Sequence, residues 1–209
     1  ILHGYFAGTF AYDSNLTGGS NVTVEIVHQM LQLYLKDHPG NRLPPTLWVQ
    51  LDNTCKDNKN CYVFAYAHML VDCGLFQQVE FNFLPVSHTH CDIDQLFSRV
   101  SVHLYGRNCW DFRDLLRKTL TACKMIKYTA RLKGFANWKQ HVLQHKLIAA
   151  GQALKNFTKF RQFRFSRVNV RNRNGVVTGF VTQFQARKTV FHKNWVDLEA
   201  NIDSHIKLA

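Results

Sequence analysis

Residues 46–52, Thr-Leu-Trp-Val-Gln-Leu-Asp, decide the fold that the sequence predicts. The run is mostly apolar up to Asp52, as in strands that are buried within a mixed or parallel sheet. Residues 60–73 are apolar almost all round and predict a buried helix, with Gly74 in the position that follows a helix end. Residues 78–86 alternate between apolar and polar side chains and predict a second strand. A strand, a helix and a strand in this order predict an α/β fold with parallel neighbours.

The sequence on either side of this unit extends the pattern. Residues 1–12 predict two short strands or one bent hairpin, and Asn21 is expected to cap a helix that ends near Lys36. After the second strand, apolar side chains from Ile93 to Leu104 recur at helical spacing. Helices that alternate with strands in this way predict a mixed sheet with flanking helices.

The remainder of the chain is basic and has a different pattern. Residues 112–128 and 137–154 predict helices, and residues 157–170 alternate Phe with Arg. Arg173-Asn174-Gly175 is a hairpin signal, and residues 176–185 alternate again. We therefore predict a small β unit with its arginines on one exposed face.

Charge also divides the chain. The 209 residues hold 26 Lys and Arg against 14 Asp and Glu, a net charge of +12. Residues 1–112 carry a net −4 and residues 113–209 a net +16. Such asymmetry is typical of proteins in which one part binds phosphates, although a solvated basic surface is the alternative. We predict a core domain over residues 1–110 and a basic helical and β-hairpin region over residues 111–209.

Acidic side chains follow two consecutive predicted strands. Asp52 ends the first strand, and Asp92 and Asp94 come after the second. Catalytic groups in sheets with parallel strands gather at the carboxyl ends of those strands. Carboxylates there could hold two Mg²⁺ (or Mn²⁺) ions, which would activate the attacking oxygen and stabilise the leaving one. The alternative is that Asp52 only forms a turn.

Asp92 and Asp94 are alternatives for the second carboxylate. Asp92 precedes Ile93, the first apolar residue of the helix, and thus stands in the N-cap position. Asp94 lies on the side of Phe97, beside the buried stripe, where it could point at the sheet edge. We expect Asp52 and Asp94 to be the catalytic metal ligands and keep Asp92 as a further candidate.

Two histidines lie in the loop that follows the second strand. His88 and His90 could bind the scissile phosphate, assist a metal ion or transfer protons. With Cys91 and Asp92 they could instead form a zinc site, but a second ligand pair at regular spacing is missing from the sequence. We predict that both histidines contact the substrate.

Five further side chains are candidate contacts to phosphate. Asn58 and Lys59 precede the buried helix, whose free N–H groups favour anions, although a plain polar loop is the alternative. Arg161, Arg164 and Arg167 alternate with Phe, and an exposed arginine face suits recognition of a nucleic-acid backbone. No base-reading motif is visible in the sequence.

Several of these strings together resemble a known family. They are Leu51-Asp52-Asn53, Asn58-Lys59-Asn60, Phe83-Leu84, His88-Thr89-His90-Cys91-Asp92-Ile93-Asp94 and Phe97-Ser98. The pattern DN…NKN…FLxxGHTHxxxD is similar to that of an RNase H-like, transposase-type domain family of eukaryotes. The resemblance spans roughly residues 1–110, and Ser87 departs from it because the pattern has Gly there.

The resemblance implies a catalytic triad of acidic residues and an activity. Asp52 and Asp94 match two of its positions, and the first position would lie upstream of Ile1. We therefore expect the chain to be a fragment that lacks the first strand. The implied activity is DNA phosphodiester cleavage and strand transfer, as in transposases and integrases, provided that the parent protein supplies the missing residue. The alternative is a catalytically inactive nucleic-acid-binding protein derived from a transposase.

Composition bears on location and partners. The six cysteines form no Cys-x-x-Cys pair, and 46% hydrophobic residues can build a core without disulfides. This favours a reducing compartment, and a DNA substrate favours the nucleus. No stretch reaches the roughly 20 apolar residues of a membrane helix, so we predict no membrane partner. DNA is the expected partner, and self-association into a homo-oligomer is left open.

Overall fold

The structure is a computed structural model that describes residues 7–16, 18–40, 42–83, 92–144, 159–189 and 193–197. Its helices are α1 (Ser20–Asp37), α2 (Cys61–Asp72), α3 (Asp92–Leu104), α4 (Phe112–Ala122) and α5 (Trp138–Gln144). Its strands are β1 (Ala7–Tyr12), β2 (Thr46–Leu51), β3 (Gln78–Phe83), β4 (Ile126–Leu132), β5 (Gln162–Arg171), β6 (Val177–Arg187) and β7 (Val196–Asp197). The predicted α/β class is confirmed, as is the β2–α2–β3 unit around Asp52.

The strands form two sheets. Five of them form one sheet in the order β2-β3-β5-β6-β7, in which β2 and β3 are parallel and the other pairs are antiparallel. The parallel pair β1 and β4 forms a second sheet. Both sheets therefore combine strands from before and after residue 110, where the change of charge predicted a boundary.

Helix α2 covers one face of the five-stranded sheet. Phe64 is 3% exposed, and its ring centroid lies 4.6 Å from that of Phe163 and 5.8 Å from those of Phe81 and Phe184. Such tilted contacts between aromatic rings add to the large apolar area that each ring buries. Gly74 follows the helix with φ 74°, the left-handed conformation predicted for it. The packing fixes the position of α2 and of the loop before it.

A second, smaller cluster packs α3 against β1 and β4. Its buried members are Ala7, Leu96, Cys123 and Ile126, and Val100 packs against them. Leu96 and Val100 are four residues apart on one helix face, as the apolar stripe of α3 predicts. Within the described residues, no helix is both long and apolar enough to span a bilayer.

Two local predictions are wrong. Residues 124–128 were expected to continue a helix, but α4 ends at Ala122 and the segment enters β4. The segment forms a strand because it pairs with β1. The alternation of apolar residues from Ile126 to Leu132 is typical of a strand. Asn21 does not cap α1, because its Oδ1 accepts a hydrogen bond from the N–H of Lys139, 2.9 Å away. Helix α1 begins after Gly19 instead.

Candidate functional site

The loop between β2 and α2, residues 52–60, begins with Asp52 at the carboxyl end of β2. Asp52 Oδ1 accepts hydrogen bonds from the N–H of Thr54, at 2.9 Å, and from Nδ2 of Asn58, at 2.7 Å. The Thr54 side chain also bonds to this exposed carboxylate. These contacts fix the Asp52 carboxylate at the strand end, where it stays exposed to solvent.

The same contacts keep Asp52 ionised. Burial raises the pKa of the Asp52 carboxyl, but the hydrogen bonds from Thr54 and Asn58 outweigh it and lower the pKa overall. Hydrogen bonds to the charged form of an acid favour that form. Asp52 is therefore a carboxylate at neutral pH, which is the state that a divalent cation requires.

Asn58 connects Asp52 to helix α1. Its Nδ2 donates to Asp52, and its Oδ1 accepts from the hydroxyl of Thr23, 3.0 Å away. The Thr23 hydroxyl also lies 3.1 Å from the carbonyl oxygen of Asp57. Both polar ends of the Asn58 amide are thus used within the protein. Asn58 therefore orients the carboxylate, and a direct phosphate contact by its side chain would have to compete with these bonds.

Lys59 is wholly buried, with 0% of its surface exposed. Its Nζ donates to the carbonyl oxygen of Phe160 at 2.7 Å and to Oδ1 of Asn53 at 3.1 Å. The ammonium also lies 5.5 Å and 5.7 Å from the ring centroids of Phe83 and Phe163, within the range of cation–π attraction. The group predicted to contact phosphate is enclosed in the protein, where it joins the loop to the segment before β5.

Burial alters the acidity of this lysine. Removal from water, with a smaller effect of the nearby Arg161 charge, lowers the pKa of Lys59 to about 8. Arg161 itself has Nη1 buried without a hydrogen-bond partner in the described residues. Lys59, which is buried, and Arg161, which is partly exposed, were both predicted to bind phosphate and lie near each other beside the strand ends.

Asn60 ends the loop and starts α2. Its Oδ1 accepts from the N–H groups of Tyr62 and Val63, and its Nδ2 donates to the carbonyl oxygens of Cys55 and Lys56. This is a full N-cap, which satisfies two of the free N–H groups at the helix start. An anion at this end of α2 would meet N–H groups that already have partners.

The other predicted ligands are placed only in part. His88, His90 and Cys91 lie outside the described residues, as does the side chain of Asp92. Asp94 is partly buried in the first turn of α3. Among the described side chains, no group of three or more His, Cys, Asp or Glu residues could hold a metal ion. The structure thus places Asp52 and Asp94 on different elements without showing a complete ligand set.

The three arginines of the Phe/Arg segment do not share one face, so that prediction is wrong. Neighbouring side chains of a strand point to opposite faces, and Arg164 and Arg167 are an odd number of positions apart. Arg164 pairs with Glu80 of β3. On the opposite face, the Arg167 guanidinium stacks 3.4 Å from the ring centroid of Phe180. Arg161 precedes β5.

Sequence reasoning missed a stack on the face of Arg164. The guanidinium carbons of Arg164 and Arg187 lie 4.2 Å and 4.4 Å from the centroid of the Trp195 ring. Burial lowers the pKa of Arg164, the Glu80 charge opposes this shift, and the Arg187 charge adds to it. Arg187 lies just beyond the predicted end of its strand, so the sequence did not place it opposite Gln162.

A groove of about 710 Å³ lies between α1 and the segment that joins β4 to α5. Glu25 lines it and accepts hydrogen bonds from Trp138 Nε1, at 2.9 Å, and Gln29 Nε2, at 2.8 Å. His28 lies beneath Trp138 and places Nδ1 3.2 Å from the hydroxyl of Tyr66. The polar side chains that line the groove therefore bond mainly to one another. No residue of the β2–α2 loop lines the groove.

These features define a mixed α/β domain in which a parallel strand ends in an exposed carboxylate held by an ordered polar loop. A family model described as a domain of unknown function (DUF7869) matches residues 1–183. The match covers most of the 209 residues, and the chain belongs to this family. Comparison with curated proteins and with solved structures finds no match to either.

Proposed function

We propose that the chain is the RNase H-like core of a nuclear, Mg²⁺-dependent enzyme that cleaves DNA and joins its strands, as transposases and integrases do. The observation that carries the proposal is Asp52, an exposed carboxylate at the end of a parallel strand whose Oδ1 is held in place. Its location fits the rule that catalytic groups gather at strand carboxyl ends. The net charge of +16 over residues 113–209 favours binding of a polyanion such as DNA.

Each candidate residue would have a separate role in the proposed cleavage. Asp52 and Asp94, with Asp92 as the alternative and an acidic residue from upstream, would hold Mg²⁺ through carboxylate oxygens, the ligands it prefers. The bound ions supply charge stabilisation for the attacking and leaving oxygens of an in-line displacement. Asn58 orients the Asp52 carboxylate, and Lys59 fixes the loop. His88 and His90 would contact the scissile phosphate, and the basic region would bind the duplex.

A second candidate is a catalytically inactive DNA-binding protein with the same fold. The observation in its favour is that the described residues contain no group of three or more potential metal ligands. It shares the basic surface, whose affinity for DNA falls with salt and needs no Mg²⁺. The two candidates therefore differ in their dependence on metal ions and on Asp52.

Metal binding and cleavage separate the candidates. Asp52→Asn keeps an oxygen that can accept from Thr54 and Asn58 but removes the charge. We expect it to abolish Mn²⁺ binding, measured by calorimetry, and Mg²⁺-dependent nicking of plasmid DNA by the chain extended upstream. Asp57→Asn, in the same loop, is the matched control and should keep both. Cleavage that survives both Asp52→Asn and Asp94→Asn would overturn the proposal.

A change beside the ligand tests whether its orientation matters. Asn58→Ala removes the amide that holds Asp52 Oδ1 but leaves every carboxylate. Loss of such supporting hydrogen bonds typically costs about 10–100-fold in metal affinity. We expect Mn²⁺ affinity to fall within that range while the affinity for DNA in EDTA stays unchanged. Equal Mn²⁺ affinity in Asn58→Ala and the unaltered chain would show that Asn58 does not orient the metal ligand.

A further inference from the structure

The hairpin of β5 and β6 extends beyond the five-stranded sheet. Strand β3 pairs with β5 over Gln162–Ser166, and β7 pairs with β6 only at Gln185 and Ala186. In the described part of the chain, residues 168–181 pair only with each other. We call these residues the β5–β6 arm. Its two strands project roughly 15 Å, given about 3.4 Å for each residue of an antiparallel strand.

Hydrogen bonds close the turn at the tip of the arm. The Asn172 side-chain oxygen accepts from the N–H groups of Asn174 and Val176, each at 3.0 Å. Gly175 takes φ 77°, and its N–H lies 2.9 Å from the carbonyl oxygen of Asn172. Nη1 of Arg171 donates to the carbonyl oxygen of Gly175 at 2.8 Å. The arm is therefore an ordered ribbon with a fixed tip, which lowers the entropy lost when it binds a partner.

The charge of the arm is of one sign. Residues 168–181 contain two arginines and no Asp or Glu, and the wider segment 159–196 contains nine Lys and Arg and no Asp or Glu. Arg171 and Arg173 lie at the tip, and the Arg173 guanidinium is exposed and has no hydrogen bond or ion pair among the described residues. The partner that this surface fits is a polyanion.

One face of the arm carries exposed valine side chains. Val168 pairs with Val181 on one face, and these side chains are 40% and 53% exposed. Val170 lies on the same face and is 41% exposed. A protein interface would use such a patch, but two identical arms related by a two-fold axis would bring the same arginines together. Charge therefore favours DNA over a second copy of the chain.

We propose that the β5–β6 arm inserts into a groove of duplex DNA. A major groove about 12 Å wide admits a two-stranded ribbon, and valine methyl groups can contact thymine methyl groups on its floor. Arg173, at the tip, would contact phosphate. The inference rests on the proposed function for the identity of the partner, and it adds the segment that contacts the duplex.

Shortening the arm tests the proposal directly. Asn169 and Phe180 are cross-strand neighbours, so residues 170–179 can be replaced by Asn-Gly, which closes a two-residue hairpin. Binding of the whole chain to a short labelled duplex is measured in EDTA over a range of salt, so cleavage does not enter. The control is Lys36→Ala with Arg42→Ala, which also removes two exposed cations. We expect weaker binding and a shallower salt dependence only in the shortened arm.

A single substitution covers the case in which the shortened chain does not fold. Each phosphate contact contributes about 0.9 to the slope of log affinity against log salt, so Arg173→Ala should lower the affinity roughly eightfold at about 0.1 M salt. Arg173→Lys should recover most of this loss.

Three results would overturn the inference. The first is failure of the unaltered chain to bind duplex DNA, and the second is affinity and salt slope unchanged by both arm variants. The third is a shortened arm that halves the mass in sedimentation while DNA affinity stays the same, which would identify a contact between copies. If DNA binding depends on the arm but Asp52→Asn leaves DNA cleavage unchanged, the proposed enzyme is refuted. The inference about the arm would still hold.

Discussion

The β2–α2 loop and the β5–β6 arm are both rich in polar side chains, and they use them in opposite ways. In the loop, Asn58, Lys59 and Asn60 bond to other parts of the protein. In the arm, Arg173 is exposed without a partner among the described residues, and only the turn is tied together. Apart from Asp52, the polar residues of the loop thus stabilise the fold, whereas Arg173 of the arm is available to a ligand. Changes at Lys59 and Asn60 should affect stability, and changes at Arg173 should affect binding.

The largest effect is expected at Lys59. Lys59→Met keeps an apolar stem of similar length but leaves Asn53 Oδ1 and the Phe160 carbonyl without this donor. An unsatisfied buried acceptor costs about 1–3 kcal/mol. We expect the free energy of unfolding in urea to fall by roughly 2–4 kcal/mol. Lys124→Met, at an exposed position, should change it by less than about 0.5 kcal/mol.

The stability of the protein should also depend on pH through Lys59. Its pKa is about 8 in the folded protein, against an ordinary value of 10.5, so the unfolded state binds the proton more tightly. The contribution of Lys59 to stability therefore rises with pH between about 8 and 10.5, by at most about 3 kcal/mol. The measurement is the unfolding free energy of the native chain minus that of Lys59→Met at each pH. A difference that does not change across this window would contradict the lowered pKa.

A smaller loss is expected at the start of α2. Asn60→Ala removes the oxygen that accepts from the N–H groups of Tyr62 and Val63. Loss of an N-cap typically costs about 0.5–2 kcal/mol. Asn60→Ser retains a capping oxygen and should recover most of the difference in chemical denaturation. Equal stability of Asn60→Ala and the native chain would show that the cap is not needed.

The smallest effect on stability is expected in the arm. Arg173→Ala removes an exposed side chain that makes no hydrogen bond or ion pair in the described residues, so the unfolding free energy should stay within about 0.5 kcal/mol. Hydrogen exchange should be faster at Val168 and Val181 than in α2, because only two strands protect them. A loss of several kcal/mol of unfolding free energy in Arg173→Ala would show that the arm, like the loop, stabilises the fold.

Local pattern was sufficient to predict the elements around Asp52. The apolar run of β2, the all-round apolar α2 and the glycine after it each carry their signal within a few residues. The opposite facing of Arg164 and Arg167 was also available from the sequence, since a strand alternates with a period of two. The prediction of a single arginine face was wrong because this period was not applied to Arg164 and Arg167.

Other features depend on distant parts of the chain. The burial of Lys59 requires the Phe160 carbonyl, which is 101 positions away, and a lysine in a polar loop gives no local sign of it. The strand at Ile126–Leu132 is fixed by pairing with Ala7–Tyr12. Asp52 was identified as a candidate ligand because its strand ends there. Its hydrogen bond to Asn58 reflects a loop geometry that spacing alone does not specify.

The contact between Lys59 and Phe160 has a consequence for the order of events during synthesis. The loop that holds Asp52 is made early, but the carbonyl group that receives the Lys59 ammonium is translated about a hundred residues later. Domains form as their segments leave the ribosome, so a nascent chain that ends before Phe160 holds this lysine without one of its acceptors. The Lys59 ammonium reaches its final position only when the segment around Phe160 docks beside the loop. The site is thus completed together with the sheet that carries the arm.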